Sequence, residues 1–141
     1  MKASDLFVKC LEAEGVTKIF GIPGEENADL MISLKKSKIE FILCRHEQAA
    51  AFMADVYGRL TGKAGVCLAT LGPGVTNLMT GLADANMDRA PVVAIIGQGS
   101  TERLHKESHQ IMDSISMVAP ISKWAQTILS AKNVTEVVRK A

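Results

Sequence analysis

The sequence predicts a three-layer α/β/α fold, a parallel sheet of about five to six strands covered by helices on both faces. Two observations carry this. Short continuous apolar runs alternate with stretches of 3.6-residue apolar periodicity along the chain, the signature of strand–helix–strand units joined by right-handed crossovers. Each conspicuous polar or glycine-rich cluster directly follows an apolar run, so all of them collect at the carboxyl edge of such a sheet, where open parallel sheets bind ligands.

Taken in order, Ser4 is placed to cap a first helix that Gly15 ends near Glu14. Lys18-Ile19-Phe20-Gly21-Ile22 then reads as a short buried strand closing on the turn Pro23-Gly24. Asn27 to Leu34 reads as a short helix, Ile39 to Cys44 as a second strand, and His46 to Leu60 as a long helix. In that helix apolar residues recur at 49, 52, 53, 56, 57 and 60, while Ala50, Ala51 and Ala54 leave other faces small enough for a second surface to approach closely. A third strand, Ala64 to Thr70, leads through the turn Leu71-Gly72-Pro73-Gly74 into a helix with its stripe at Leu78, Met79, Leu82, Ala83 and Asn86. Pro91 to Gly97 is the clearest strand, and Gln98 to Ser116 a long polar loop of the kind that carries function. Lys123 to Leu129 is expected as a fifth strand, and Asn133 as the start of a last helix.

With 141 residues the chain suits one domain with a real core. Its 48% apolar and 22% charged residues are those of a globular protein, and 16 basic against 15 acidic side chains give no electrostatic reason to expect nucleic acid or a membrane surface. Met1-Lys2-Ala3-Ser4-Asp5 opens an amphipathic stretch and not a signal peptide, and no apolar run approaches the ~20 residues of a membrane span. Cys10, Cys44 and Cys67 are odd in number and sit in apolar contexts without metal-ligand spacing, which reads as reduced core cysteines of a cytoplasmic protein.

Glu47 opens the long helix beside the carboxyl end of the second strand, at the positive end of the helix dipole. There a carboxylate either merely stabilises the helix start or performs chemistry. Gly72-Pro73-Gly74 brings bare backbone close to a ligand, although Pro73 removes a donor that a phosphate cradle needs and no Lys-Ser/Thr follows. Gly97-Gln98-Gly99 falls short of a dinucleotide fingerprint because Glu102 stands where the third glycine belongs. His105 and His109 lack both the glutamate of a zinc-peptidase helix and a third ligand, so no metal site is expected on this chain. No Gly-x-Ser-x-Gly elbow supports a serine nucleophile.

Four segments share one order and spacing with a known family: Gly21-Ile22-Pro23-Gly24-Glu25-Glu26-Asn27, Arg45-His46-Glu47-Gln48-Ala49-Ala50, Ala69-Thr70-Leu71-Gly72-Pro73-Gly74-Val75-Thr76-Asn77-Leu78, and Ala90 to Gln98. The chain resembles, over nearly its whole length, the N-terminal pyrimidine-binding domain of thiamine diphosphate enzymes of the acetolactate synthase type. The resemblance implies that Glu47 hydrogen-bonds the aminopyrimidine ring nitrogen of thiamine diphosphate and activates the cofactor. It also implies that Ile22, Pro23, Gly24, Thr70, Pro73 and Asn77 shape the pyrimidine pocket, and that Gln110 lies near the reacting carbon. The implied reaction joins two molecules of pyruvate, a 2-oxo acid, into 2-acetolactate with loss of carbon dioxide. His109-Gln110-Ile111-Met112-Asp113 is closer to the flavin-independent, catabolic type than to the flavin-containing one, so FAD is expected to be absent.

Members of this family hold Mg2+ and the diphosphate with a Gly-Asp-Gly and Asn-Asn motif in a second domain, and nothing in this chain matches it. The chain is therefore expected to be half of an active site, stopping before a last Gly-Pro-Val-rich strand, and inactive alone. The resemblance further implies a homodimer, with His46, Gln48, Ala51 and Asp84 at the interface and the pyrimidine-binding domain facing the diphosphate-binding domain of a partner. The alternatives are a separate subunit of another 2-oxo acid decarboxylase or carboligase, and a noncatalytic binding module on the same fold.

Overall fold

Burial from both faces decides where the strands form. In the computed structural model, which describes residues 1–104 and 106–141, all five residues of the third strand are buried. The strands are β1 (Lys18–Gly21), β2 (Glu40–Leu43), β3 (Gly65–Ala69) and β4 (Val92–Ile96), all parallel, in the order β2-β1-β3-β4. Neighbouring residues of one strand divide between two cores, as a period of two requires. Ile19, Val66 and Leu68 join Val8, Leu11, Leu34, Val134 and Val138 on one face. Phe20, Cys67 and Ala69 join Ala50, Ala51, Ala54, Leu78 and Leu82 on the other. The first face carries α1 (Ala3–Ala13), α2 (Ala28–Leu34) and α6 (Val134–Lys140); the second carries α3 (Glu47–Thr61) and α4 (Pro73–Met87). A short α5 (Ser114–Val118) follows the long loop. The expected α/β/α layering is what the chain adopts.

Helix α3 turns a different side inward from the one its large apolar residues suggest. Ala50, Ala51 and Ala54 are fully buried, whereas Met53, Val56 and Leu60 stand exposed at 44%, 50% and 81%. Small residues win because they allow α4 to come close: a methyl group placed on Gly81 would lie 2.5 Å from the Ala51 Cβ. Ala51, expected at an interface between copies, is therefore enclosed by α4 of its own chain and presents nothing outward. The N-terminus of α1 also differs in detail, since Lys2 occupies the cap and Ser4 lies inside the helix, receiving a hydrogen bond from the Ser33 hydroxyl at 2.9 Å.

Among the described residues the sheet has four strands and not five or six. Lys123–Leu129 forms no strand, and among the described residues no backbone hydrogen bond joins it to β4. Its apolar groups turn elsewhere: Ile128 packs on the first core, and the Trp124 ring lies 5.0 Å from the Lys140 ammonium, a cation–π contact. The outer edge of β4 is consequently unpaired, with Val92 to Ile96 half-buried. Among the described residues no helix is long and apolar enough to cross a membrane.

The cysteines are all free, Cys44 and Cys67 buried and Cys10 half-buried. Burial pushes the Cys67 thiol up to about 12 and also raises that of Cys44. Thiol reagents at pH 8 should thus modify Cys10 in the native chain and Cys67 only upon unfolding, as peptide mass mapping would show. Because the folded state holds the Cys67 proton above the pH at which an unfolded thiol releases it, this group lowers stability as pH rises from about 9 towards about 12. Replacing Gly81 by alanine should destabilise the fold by about 1–3 kcal/mol through overpacking. An unchanged denaturation midpoint for Gly81→Ala would refute the close α3–α4 approach.

Candidate active site at the carboxyl edge of the sheet

The ends of β1, β2 and β3 deliver three chain segments to one place. After β1, the Ile22 amide still donates to the Leu68 carbonyl at 3.2 Å, which ties the Pro23-Gly24 turn to β3. Gly24 then rests directly on Thr70, since a Cβ at Gly24 would fall 2.5 Å from the threonine Cβ and Oγ1. Two residues missed by sequence reasoning fasten this turn. Asn27 Oδ1 accepts from the Gly24 amide at 2.8 Å, and Glu26 Oε2 accepts from the Thr70 hydroxyl at 3.2 Å. The Gly-x-x-Asn spacing is a recognisable Asx-type signal; the Glu26–Thr70 pair spans 44 residues and leaves none.

After β2, His46 caps α3, its Nδ1 accepting from the Gln48 amide at 3.2 Å, and Glu47 is the first helical residue. Glu47 is buried, only 9% exposed. Asn77, one turn into α4, donates its Nδ2 to Glu47 Oε2 at 2.9 Å. Among the described residues Oε1 has no hydrogen-bond donor, and it lies 3.6 Å from where a Gly74 side chain would begin. Gly74 also lines the contact with Thr70, at 3.3 Å by the same measure. The site is thus a buried carboxylate with one oxygen fixed by Asn77 and the other beside Gly74.

Gly72 precedes α4 with φ +57°, a conformation that favours glycine, and Pro73 occupies the first helical position, where its missing N–H costs nothing. The long loop returns here, and Gln110 lies against Gly72. Glu47, Thr70, Gly24, Pro73, Asn77 and Gln110 therefore converge on the turn that opens α4. Ile22 packs on the second core.

The remaining expected positions lie elsewhere. His46 is exposed and Gln48 half-exposed at the start of α3. Asp84 belongs to a charge cluster further along α4. The Arg59 guanidinium binds buried Asp55 at 2.7 and 2.8 Å and reaches Asp84 at 3.4 Å and Asp88 at 2.7 Å. These carboxylates, the Asp55 hydrogen bond foremost, hold Arg59 still more firmly charged than usual. The Asp55/Arg59 spacing of four was a legible helix pair. His105 lies outside the described residues, and His109 is exposed.

A parallel α/β domain that gathers a buried glutamate and its amide donor at the carboxyl edge of its sheet holds them where open parallel sheets bind ligands. The "Thiamine pyrophosphate enzyme, N-terminal TPP binding domain" family matches residues 1–117, and the chain belongs to it. The chain is 46% identical over 138 residues to the catabolic acetolactate synthase of Raoultella terrigena, covering 98% of this chain and 25% of that protein. It is 44% identical to the acetolactate synthase of Bacillus subtilis (strain 168), covering 99% and 25% respectively. The probable acetolactate synthase large subunit of Methanocaldococcus jannaschii is 43% identical, with 100% of this chain and 24% of that protein covered. The chain thus spans about a quarter of the length of these relatives.

Removing the amide donor tests the site's construction. Asn77→Ala leaves Glu47 Oε2 buried without its partner and should lower stability by about 1–3 kcal/mol. In a double-mutant cycle with Glu47→Ala, the coupling measured by denaturant titration should recover most of that loss.

Proposed function

We propose that this chain is the pyrimidine-binding part of an acetolactate-synthase-like enzyme, which joins two pyruvates into 2-acetolactate with loss of carbon dioxide. The single observation that supports it best is Glu47: buried, oriented by Asn77 through Oε2, and free at Oε1 beside Gly74. These residues fit the flat aminopyrimidine of thiamine diphosphate, whose ring nitrogens and amino group are polar. Gly74 leaves the approach to Glu47 Oε1 without a side chain, and that carboxylate oxygen remains to meet a ring nitrogen. When bound, thiamine diphosphate supplies the carbon that adds to a 2-oxo acid and the ring that holds the electrons released with carbon dioxide.

The chain's own residues then have defined tasks. Glu47 Oε1 holds or returns a proton at the ring nitrogen, acting as a general acid–base group sheltered from water. Asn77 keeps the carboxylate from rotating away. Thr70 and the Pro23-Gly24 turn set the width of the slot, and Pro73 with the start of α4 forms its far side. Gln110, brought back by the long loop, is assigned to the 2-oxo acid. The retained, oriented glutamate favours this reading over a noncatalytic binding module.

The diphosphate and its Mg2+ are assigned to a second domain outside these 141 residues, and no flavin is assigned. A second copy is placed on the outer side of α3 and α4, with His46, Gln48 and Asp84 at its border and exposed Met53, Val56 and Leu60 within it. The cytoplasm is the assigned compartment.

Two measurements test this. Pure chain supplied with pyruvate, thiamine diphosphate and Mg2+ should form no acetolactate by colorimetric assay. In NMR titrations, thiamine and thiamine diphosphate should shift the Glu47, Thr70 and Gly74 amides alike and weakly, with Mg2+ making no difference, and Glu47→Gln should abolish the response. No shift at these amides at millimolar ligand, or a response that requires Mg2+, would contradict the assignment.

A further inference from the structure

We propose that Gly72 is a positioning residue for Gln110: its missing side chain lets the loop from Gln98 to Met112 seat Gln110 in the mouth of the Glu47 pocket. This rests on the reading of Gln110 as the residue that faces the 2-oxo acid. The contact is backbone to backbone. A Cβ on Gly72 would lie 2.8 Å from the Gln110 carbonyl oxygen and 2.8 Å from its Cβ, closer than such atoms approach. Both partners have positive φ, Gly72 at +57° and Gln110 at +55°. Among the described residues only Arg89 and Gln110 adopt that conformation without being glycine. A residue with a Cβ holds it only where its surroundings over-determine it, and such residues concentrate at functional sites.

The loop supplies those surroundings. Gln98 closes its neck, the side-chain Nε2 donating to the Met112 carbonyl and Oε1 accepting from the Gly99 amide, each at 2.9 Å. Ile111 Cδ1 lies 2.7 Å from where a Gly99 side chain would begin, so the two ends of the loop touch. Gln110, an exposed residue, therefore emerges from a pinned neck with its backbone and Cβ against the turn opening α4. Gly72 is two residues from Gly74, which faces Glu47 Oε1. One tight turn thus serves the carboxylate with one glycine and the loop glutamine with the other.

The purified chain tests this without turnover. Through-space NMR should connect the Gly72 α-protons to the Gln110 β-protons. Gly72→Ala should speed amide exchange of Gln110, Ile111 and Met112 at least 10-fold while leaving Cys67 and Leu68 in β3 unchanged, as expected for loss of a local seat. Because Gly72→Ala also strains its own backbone, Gln110→Gly and Gln110→Ala provide a second comparison. Both remove the side chain, and relief of the positive-φ strain should make the glycine variant melt roughly 3–5 °C higher. In the wild type, thiamine should shift the Gln110 side-chain amide signal; in Gly72→Ala that response should vanish while the Glu47 amide keeps its own. A missing Gly72–Gln110 contact, equal melting of the two Gln110 variants, or a Gln110 response that survives Gly72→Ala would overturn the proposal. A wild type with no thiamine response anywhere would instead defeat the assignment of function, leaving the contact and melting results to decide the seating.

Discussion

Everything at the site depends on how closely α3 and α4 approach. Their closest approach is made by Ala51 and Gly81, with Leu78 and Leu82 packed in the same core. That closeness brings the first turn of each helix together, and only then does the Asn77 amide reach Glu47 across 30 residues of sequence. Small residues at a helix contact sacrifice apolar area that Leu or Ile would bury. In return the backbone, the most accurately placed part of a helix, sets the spacing of the polar groups at its end. A site built on rigid elements is held more tightly than one built on loops.

The two helices are also joined at their other ends. Arg59 gathers Asp55 from its own helix and Asp84 and Asp88 from the end of α4. The bidentate pair with Asp55 lies within α3 and fixes the plane of the guanidinium, which then reaches across to Asp84 and Asp88. Helix α3 is thereby tied to α4 by a neutral amide at its first turn and by charged contacts near its last.

What could be read from the sequence follows physical range. The four strands, the long helices and the shared sheet edge were legible because they depend on local periodicity and on the rule that crossovers are right-handed. Glu47 was legible as a carboxylate at a helix start, and the turns at Gly24 and Gly72 as glycine positions. The small face of α3 at Ala50, Ala51 and Ala54 was legible as one that a second surface could approach closely, but the exposure of Met53, Val56 and Leu60 was not, because an apolar stripe at 49, 52, 53, 56, 57 and 60 reads as buried. The strand expected at Lys123–Leu129 failed for a related reason. Strand propensity marks a capacity to pair, and Trp124 and Ile128 found helix and core contacts instead. Glu26–Thr70 and Gly72–Gln110 join residues far apart in sequence and have no local mark at all.

The exposed stripe of Met53, Val56 and Leu60 lies on the same rod as Glu47. A 15-residue helix is about 22 Å long and stiff along its axis. Any body that settles on the stripe grips the handle of a tool whose working tip is the buried carboxylate. Contact at the outer surface and the position of the Glu47 carboxylate are then two ends of a single mechanical part, with no intervening loop to absorb the load.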